Sequence, residues 1–300
     1  MQLWIVLSIS AAFFQSLRFV LQKQLSQVKL TATGATLARF LYSAPIVVLL
    51  SVIYFGQAEG GFPLLSTSFW FHGALGGVAQ VLATICTVKT FAYRNFAVGV
   101  TFKKTEVMQA AVIGLILFAE PVSLTGFVAI VLGFFGVLVL SSSVSGQGSL
   151  RENLKSPATV LGLSAGALFG VSAVSYRAAS LSVGLDDPFE RALITLAAVT
   201  SMQLLGMLCW LAVRDFKEIL RVLAQWRTAS LVGITSIAGS FCWFAAFSLQ
   251  NAAYVKAVGQ VELIFSLIAS TLVVREKITK RELIGIALIS LSVLALVLVV

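Results

Sequence analysis

Charge is scarce in this sequence. Asp, Glu, Lys and Arg make up 11% of its 300 residues against 59% hydrophobic ones, and the mean hydropathy is +0.99. A soluble domain carries about 25% charged residues, so there is too little polar side chain here to cover the outside of a water-soluble fold. That class is excluded, and an integral membrane protein is left. Histidine is scarcer still: the single His72 excludes a histidine-based metal cluster within one chain. Three cysteines, Cys86, Cys209 and Cys242, lie inside apolar runs, and their odd number gives no disulfide framework. No glycine-rich phosphate loop, zinc-ligand spacing or Ser/His/Asp arrangement occurs, so no cofactor, no resident metal and no direct use of ATP are expected. The net charge of +9 does not point to nucleic acid, because the basic residues flank apolar runs instead of gathering on a polar domain. They read as topology determinants and lipid headgroup contacts.

What the sequence does have is a succession of apolar runs. A span needs about 20 mostly apolar residues. The runs place ten, at roughly 3–22, 33–55, 69–91, 97–118, 122–141, 158–178, 189–213, 229–248, 253–274 and 281–300. A polar linker, 142–156, holds Gly146, Gln147, Gly148, Arg151 and Lys155 and separates two five-span halves, 1–141 and 157–300. The first span has no basic segment before it and no small-residue cleavage site after it, so a cleaved signal peptide is not expected. Alternate loops differ in charge. Lys23, Lys29, Lys89, Arg94, Arg151, Lys155, Arg214, Lys217, Arg221, Arg227, Arg275, Lys277, Lys280 and Arg281 belong to the odd-numbered loops, whereas Glu59, Glu120, Asp186 and Asp187 belong to the even-numbered ones. The positive-inside rule then puts the odd loops in the cytoplasm and both termini outside. In the loop after the seventh span, Phe216, Ile219, Leu220, Leu223 and Trp226 recur at helical spacing among basic residues. That pattern predicts an interfacial amphipathic helix acting as an anchor.

The halves are related. Sliding the sequence by 156 positions brings Trp70 onto Trp226, Gly77 onto Gly233, Cys86 onto Cys242, Phe91 onto Phe247, Asn95 onto Asn251, Ala97 onto Ala253, Glu106 onto Glu262 and Glu120 onto Glu276. With small gaps, Arg18 meets Arg177 and Arg39 meets Arg191. An odd number of spans per half forces the second half to be inverted, and equivalent loops do exchange their charge character. The expected fold is therefore an all-α polytopic membrane protein of ten transmembrane helices arranged as two inverted five-helix repeats. Inverted repeats are a recurring transporter architecture, because one site between mirrored halves opens alternately to either side.

Each half ends in a recognisable stretch, "ILFAEPVSLTGFVAIVLGFFGVLVL" and "STLVVREKITKRELIGIALISLSVLAL". With the acidic residues Glu120 and Glu276 closing the fourth and ninth spans, this layout resembles the EamA family of the drug/metabolite transporter superfamily over nearly the whole chain. The resemblance implies a ten-helix basket with a central cavity lined largely by the third, fourth, eighth and ninth spans. It also implies export or exchange of amino acids, other metabolites or drugs, in a bacterial inner membrane. One departure stands out: many family members carry a proline early in the fourth and ninth spans, where this chain has Glu106 and Glu262.

Those two carboxylates are the strongest chemical signal. An ionisable residue inside a span costs at least about 2.5 kcal/mol on insertion scales, which makes each a candidate functional group. Gly99, Lys103, Glu106 and Ala110 share one helix face, and Gly259, Glu262, Ser266 and Ser270 share the corresponding one. Lys103 stands three residues before Glu106, close enough on a helix to pair with it, and Lys104 and the equivalent Gln260 add polar contacts. The first span carries a polar stripe of Ser8, Ala11, Gln15, Arg18 and Gln22. Glu106, Glu262, Lys103, Lys104, Gln260, Gln15 and Arg18 are thus the expected solute- or proton-binding groups. Gln109, Gly259, Ser266, Trp243 and Tyr254 are expected to line a cavity, and Arg39, Arg177 and Arg191 to serve as gating or structural charges. The alternative for the carboxylates is a set of structural ion pairs, Glu106 with Lys103 or Lys104 and Glu262 with an arginine of another span. The expected activity is secondary transport of a small-molecule substrate, with proton coupling left open, no enzyme activity, lipids as the surrounding partner and a monomer sufficing. A lipid or lipid-linked-sugar flippase and a membrane-embedded enzyme are the competing readings.

Overall fold

In hydrocarbon every backbone N–H and C=O must be paired within the protein, which restricts a spanning chain to helices or a closed barrel. The structure is a computed structural model that describes residues 2–28, 30–58, 60–93, 102–142, 156–265, 267–268 and 280–299. Among these residues every regular element is helical. The first five are α1 (Leu3–Val28), α2 (Ala32–Gln57), α3 (Thr67–Thr90), α4 (Glu106–Phe118) and α5 (Leu124–Ser142). Then come α6 (Pro157–Leu181), α7 (Pro188–Arg214), α8 (Phe216–Ala224), α9 (Trp226–Leu249), α10 (Ala252–Val258) and α11 (Lys280–Val299). Helices α1, α2, α3, α6, α7 and α9 are long and apolar enough to cross a membrane, and they coincide with six expected spans. Shorter apolar helices occupy Glu106–Phe118, Leu124–Val139 and Leu283–Leu298.

Starts are set by polar caps. Thr31, Ser66, Ser156, Asp187 and Asn251 each accept a hydrogen bond from a first-turn amide, at α2, α3, α6, α7 and α10 respectively. Pro157 and Pro188 open α6 and α7, where a missing N–H costs nothing. Packing is dominated by α3 along α6, α1 along α9 and α5 along α11; α4 lies on α6 and α10, and α2 lies between α7 and α9.

The runs expected at 97–118 and 253–274 are not continuous helices. Residues 102–103 are helical, Lys104 and Thr105 form a turn, and α4 begins at Glu106. In the later run α10 gives way to a 3-10 turn, Gly259–Val261, before residues 262–265 are helical again. No proline causes either break. A short 3-10 stretch inside a helix marks a strained or hinge-like position, and here both interruptions fall directly before the repeat-related carboxylates. Glycine makes the close contacts there: a Cβ on Gly166 of α6 would stand 2.9 Å from the Lys103 carbonyl oxygen, and one on Gly259 would stand 2.3 Å from the Trp243 ring.

The amphipathic segment is α8. Phe216, Leu220 and Leu223 are exposed on it, whereas Glu218 is fully buried. The Glu218 carboxylate accepts from the Thr31 amide and hydroxyl, each at 2.7 Å, and from Arg221 at 2.5 Å. It thereby tethers α8 to the positive end of α2.

Candidate functional site

The polar stripe of α1 faces inward as expected: Ser8, Ala11, Gln15, Arg18 and Gln22 are all buried. Opposite it lie the two interrupted segments, and the charges cross between them. Lys104 Nζ, just before the first break, sits 2.8 Å from Glu262 Oε2, just after the second. Lys256 Nζ of α10 sits 3.9 Å from Glu106 Oε1. Gln15 joins the first pair by donating its amide to Glu262 Oε2 at 2.9 Å, while its carbonyl accepts from Trp243 Nε1 at 3.2 Å. Ser16 donates to the Glu262 carbonyl oxygen at 3.4 Å. Glu106 Oε2 is buried without a hydrogen-bond partner.

The structure corrects the expected pairing. Lys103 does not pair with Glu106, because the turn at Lys104 and Thr105 disrupts the helical i, i+3 register that pairing requires. Its ammonium lies over the rings of Phe19 and Phe169, at 4.3 and 5.2 Å. Nor does Glu262 pair with an arginine among its described ion pairs; its partner is Lys104. Lys256, which contacts Glu106 and lies 4.4 Å over the Trp243 ring, was not anticipated. A lysine inside the apolar run 252–265 was nevertheless the same kind of signal as the two glutamates.

A small polar hollow of about 20 Å³ lies beside this cluster. Gln15, Arg18, Arg39, Gln80, Tyr176, Ser240, Trp243 and Lys256 contribute to its wall, so α1, α2 and α6 supply as much of it as the spans expected from family resemblance. Its volume holds about one water, so among the described residues the charges are closely packed. Arg39 donates to Ser240 Oγ at 3.0 Å, and its Nη1 has no partner. Arg18 Nε and Nη2 are likewise buried without partners; its guanidinium lies 4.7 Å over the Phe19 ring. A second network, also not foreseen, links Gln203 Nε2 to Gln80 Oε1 and Tyr176 OH, both at 3.1 Å.

Other expected site residues have structural roles. Arg177 donates from Nε to both Glu120 oxygens, at 2.8 and 2.9 Å, and from Nη1 to the Phe247 and Gln250 carbonyls, at 2.6 and 2.8 Å. It ties the end of α9 to the segment after α4. Arg191 is held by the Leu185 carbonyl at the start of α7. Tyr254 does not wall this hollow; its hydroxyl accepts from the Ser123 amide at 2.9 Å, before α5. Gln109 also lies away from the hollow, donating to Thr105 Oγ1 at 2.9 Å, and Gln260 is buried with both amide atoms unpartnered. Gly259 sits under Trp243 and does not wall the hollow. Gly99, Ser266, Ser270, Glu276, the helix-closing motif around it and nearly all of the linker lie outside the described residues.

Two larger hollows are lined mainly by apolar residues. One, of about 870 Å³, lies among α2, α7 and α9, with Tyr54, Asp187 and Glu190 at its polar end. The other, of about 410 Å³, lies between α3 and α7.

Comparison with known proteins bears on this arrangement. Residues 156–298 match the EamA-like transporter family, which belongs to the drug/metabolite transporter superfamily. That is a family of membrane transporters, not of enzymes. No curated protein matches the chain in sequence. A solved crystal structure, described only as that of a protein, aligns over 97% of this chain and 99% of its own, with a TM-score of 0.63 and 15% identity. At that identity the likeness is one of fold alone.

Proposed function

We propose that this chain, whose residues 156–298 form an EamA-like transporter unit, is a secondary transporter that exports a small metabolite from a bacterial cell by alternating access. Two inverted five-helix halves enclose the site, both termini lie outside, and a gradient of ions or of the substrate drives the cycle. Glu106 and Glu262 bind solute or protons. The observation that carries the reading is the pair of helix breaks beside these carboxylates, linked by Lys104–Glu262 and Lys256–Glu106 contacts at 2.8 and 3.9 Å. Interrupted helices at a repeat interface are where transporters bind their substrates and coupling ions.

The helix pairing supports two mirrored halves. Exchanging each element with its repeat counterpart turns the α1–α9 contact into the α6–α3 contact, the two most extensive that cross between halves, and returns α5–α11 to itself. The closely packed polar centre fits an occluded stage of the cycle. Uptake into proteoliposomes of a metabolite panel, with and without a pH gradient, tests this. Transport of a panel member that is lost in Glu106→Gln or Glu262→Gln is the expected result, and pH dependence unchanged in both variants removes proton coupling.

The apolar hollow of about 870 Å³ among α2, α7 and α9 favours a second reading, passage of an amphiphile or lipid-linked solute. Dithionite quenching of a fluorescent lipid in the same vesicles separates the two: scrambling without solute uptake supports the flippase.

A further inference from the structure

The charges at the centre of the bundle do not balance. Arg18, Arg39, Lys103, Lys104 and Lys256 are buried there, against only Glu106 and Glu262 among the described residues. The other buried carboxylate, Glu218, is at the α8 tether with Arg221. Both central carboxylates are already engaged by lysines. Arginine stays protonated in proteins, and a buried charge without a counter-ion is among the most destabilising arrangements a fold can carry. Arg18 and Arg39 are 4% and 2% exposed, face the same small hollow and hold buried N–H groups with no acceptor.

From this arrangement we infer that the substrate is an anion carrying a carboxylate or phosphate group, gripped by the guanidinium groups of Arg18 and Arg39. The inference rests on the transporter reading and narrows it. A planar guanidinium presents N–H donors in a fork that matches an oxyanion, and such charge-assisted bonds are about twice as strong as neutral ones. Lys104 and Lys256 are held by protein carboxylates; the surplus comes from Lys103, whose ammonium lies over the Phe19 and Phe169 rings, and from the two arginines, which alone of the three face the hollow. The roughly 20 Å³ hollow is too small for an oxyanion, so binding accompanies an opening of the bundle. A cationic solute would instead meet five cations and two occupied carboxylates.

The test uses the purified full chain in nanodiscs of neutral phosphatidylcholine. Sodium succinate, sodium phosphate and choline chloride, at matched ionic strength, serve as probes of thermal stability and of binding by calorimetry. The expected result is a raised unfolding midpoint with succinate or phosphate and none with choline. That gain should fall at least about tenfold in apparent affinity in Arg18→Gln and in Arg39→Gln, the loss of one charge-assisted bond. Each variant should also show a ligand-free midpoint at or above that of the parent, since a buried uncompensated charge has been removed. That control separates loss of binding from loss of folding. Equal shifts with choline, or oxyanion binding unchanged in both variants, overturns the inference. So does stabilisation by phosphatidylglycerol nanodiscs alone, which assigns the arginines to a lipid headgroup. Proteoliposomes that transport only neutral or cationic solutes refute the anion while leaving the transporter reading intact; no transport of any solute refutes that reading itself.

Discussion

Lys104 and Glu262 offer the sharpest measurement, because both are buried and each is the other's counter-ion. Their side chains are 2% and 10% exposed, and the contact is 2.8 Å. Removing one member of such a pair strands the other charge and costs about 3–5 kcal/mol. Glu262→Gln keeps an oxygen that accepts from Gln15 but leaves the Lys104 ammonium uncompensated, so it should fall in that range. Lys104→Met preserves most of the volume and takes from the Glu262 carboxylate its ammonium partner at 2.8 Å, and should cost a similar amount. The double variant has no charge left to strand. Its cost should be below about 2 kcal/mol, since replacing both partners is often nearly neutral. The coupling energy from the cycle is then at least about 4 kcal/mol, well above the scatter of about 0.5 kcal/mol for independent sites. Reversible unfolding in mixed micelles, followed by loss of helicity, measures all four proteins. A double variant as destabilised as the sum of the singles refutes the direct pair.

Arg177→Lys should destabilise by about 2 kcal/mol or more, because a single ammonium cannot stand in for Nε shared between the two Glu120 oxygens together with Nη1 on the Phe247 and Gln250 carbonyls; the same micelle assay reads it. Gly34→Ala would place a Cβ 2.0 Å from Glu218 Oε1, so α8 should loosen. Thiol labelling at Val222→Cys, a fully buried position, should then be faster than in the Gly34 background. With Cys86, Cys209 and Cys242 replaced, a membrane-impermeant thiol reagent applied to whole cells should label Gly184→Cys but not Ala224→Cys. The reverse pattern overturns the orientation drawn from loop charge.

Hydropathy made the six long helices legible, because each apolar run is long enough to span by itself. It could not reveal the interruptions before Glu106 and Glu262. These arise without proline, where Gly166 brings the α6 backbone against the Lys103 carbonyl and Gly259 receives the Trp243 ring, and close approach of separate helices leaves no periodic trace. The inward stripe of α1 was legible for the opposite reason: Ser8, Gln15, Arg18 and Gln22 share one face of a single helix. Burial of the charged residues could be read from their position in apolar runs, but their partners could not. Pairing depends on which segments meet in space, which is why Lys104 meets Glu262 and Lys256 meets Glu106.

The two crossed contacts are not equivalent, and the difference bears on how the bundle opens. Glu262 is gripped at 2.8 and 2.9 Å by Lys104 and Gln15. Glu106 faces Lys256 at 3.9 Å, and its second oxygen is unpartnered. The difference is written in the sequence: the repeat counterpart of Lys104 is Gln260 and that of Lys256 is Val100, so the two contacts are not mirror images of each other. Lys256 also lies over the Trp243 ring, and Trp243 donates to Gln15, so Glu106 is linked to Glu262 through four consecutive contacts, by way of Lys256, Trp243 and Gln15. On the proposed transport reading, a solute arriving at the unpartnered oxygen of Glu106 would act on the longer contact, where the least interaction must be broken. Opening of the centre is then expected to begin at α4 and α10, with the Lys104–Glu262 pair holding until Gln15 and Trp243 move.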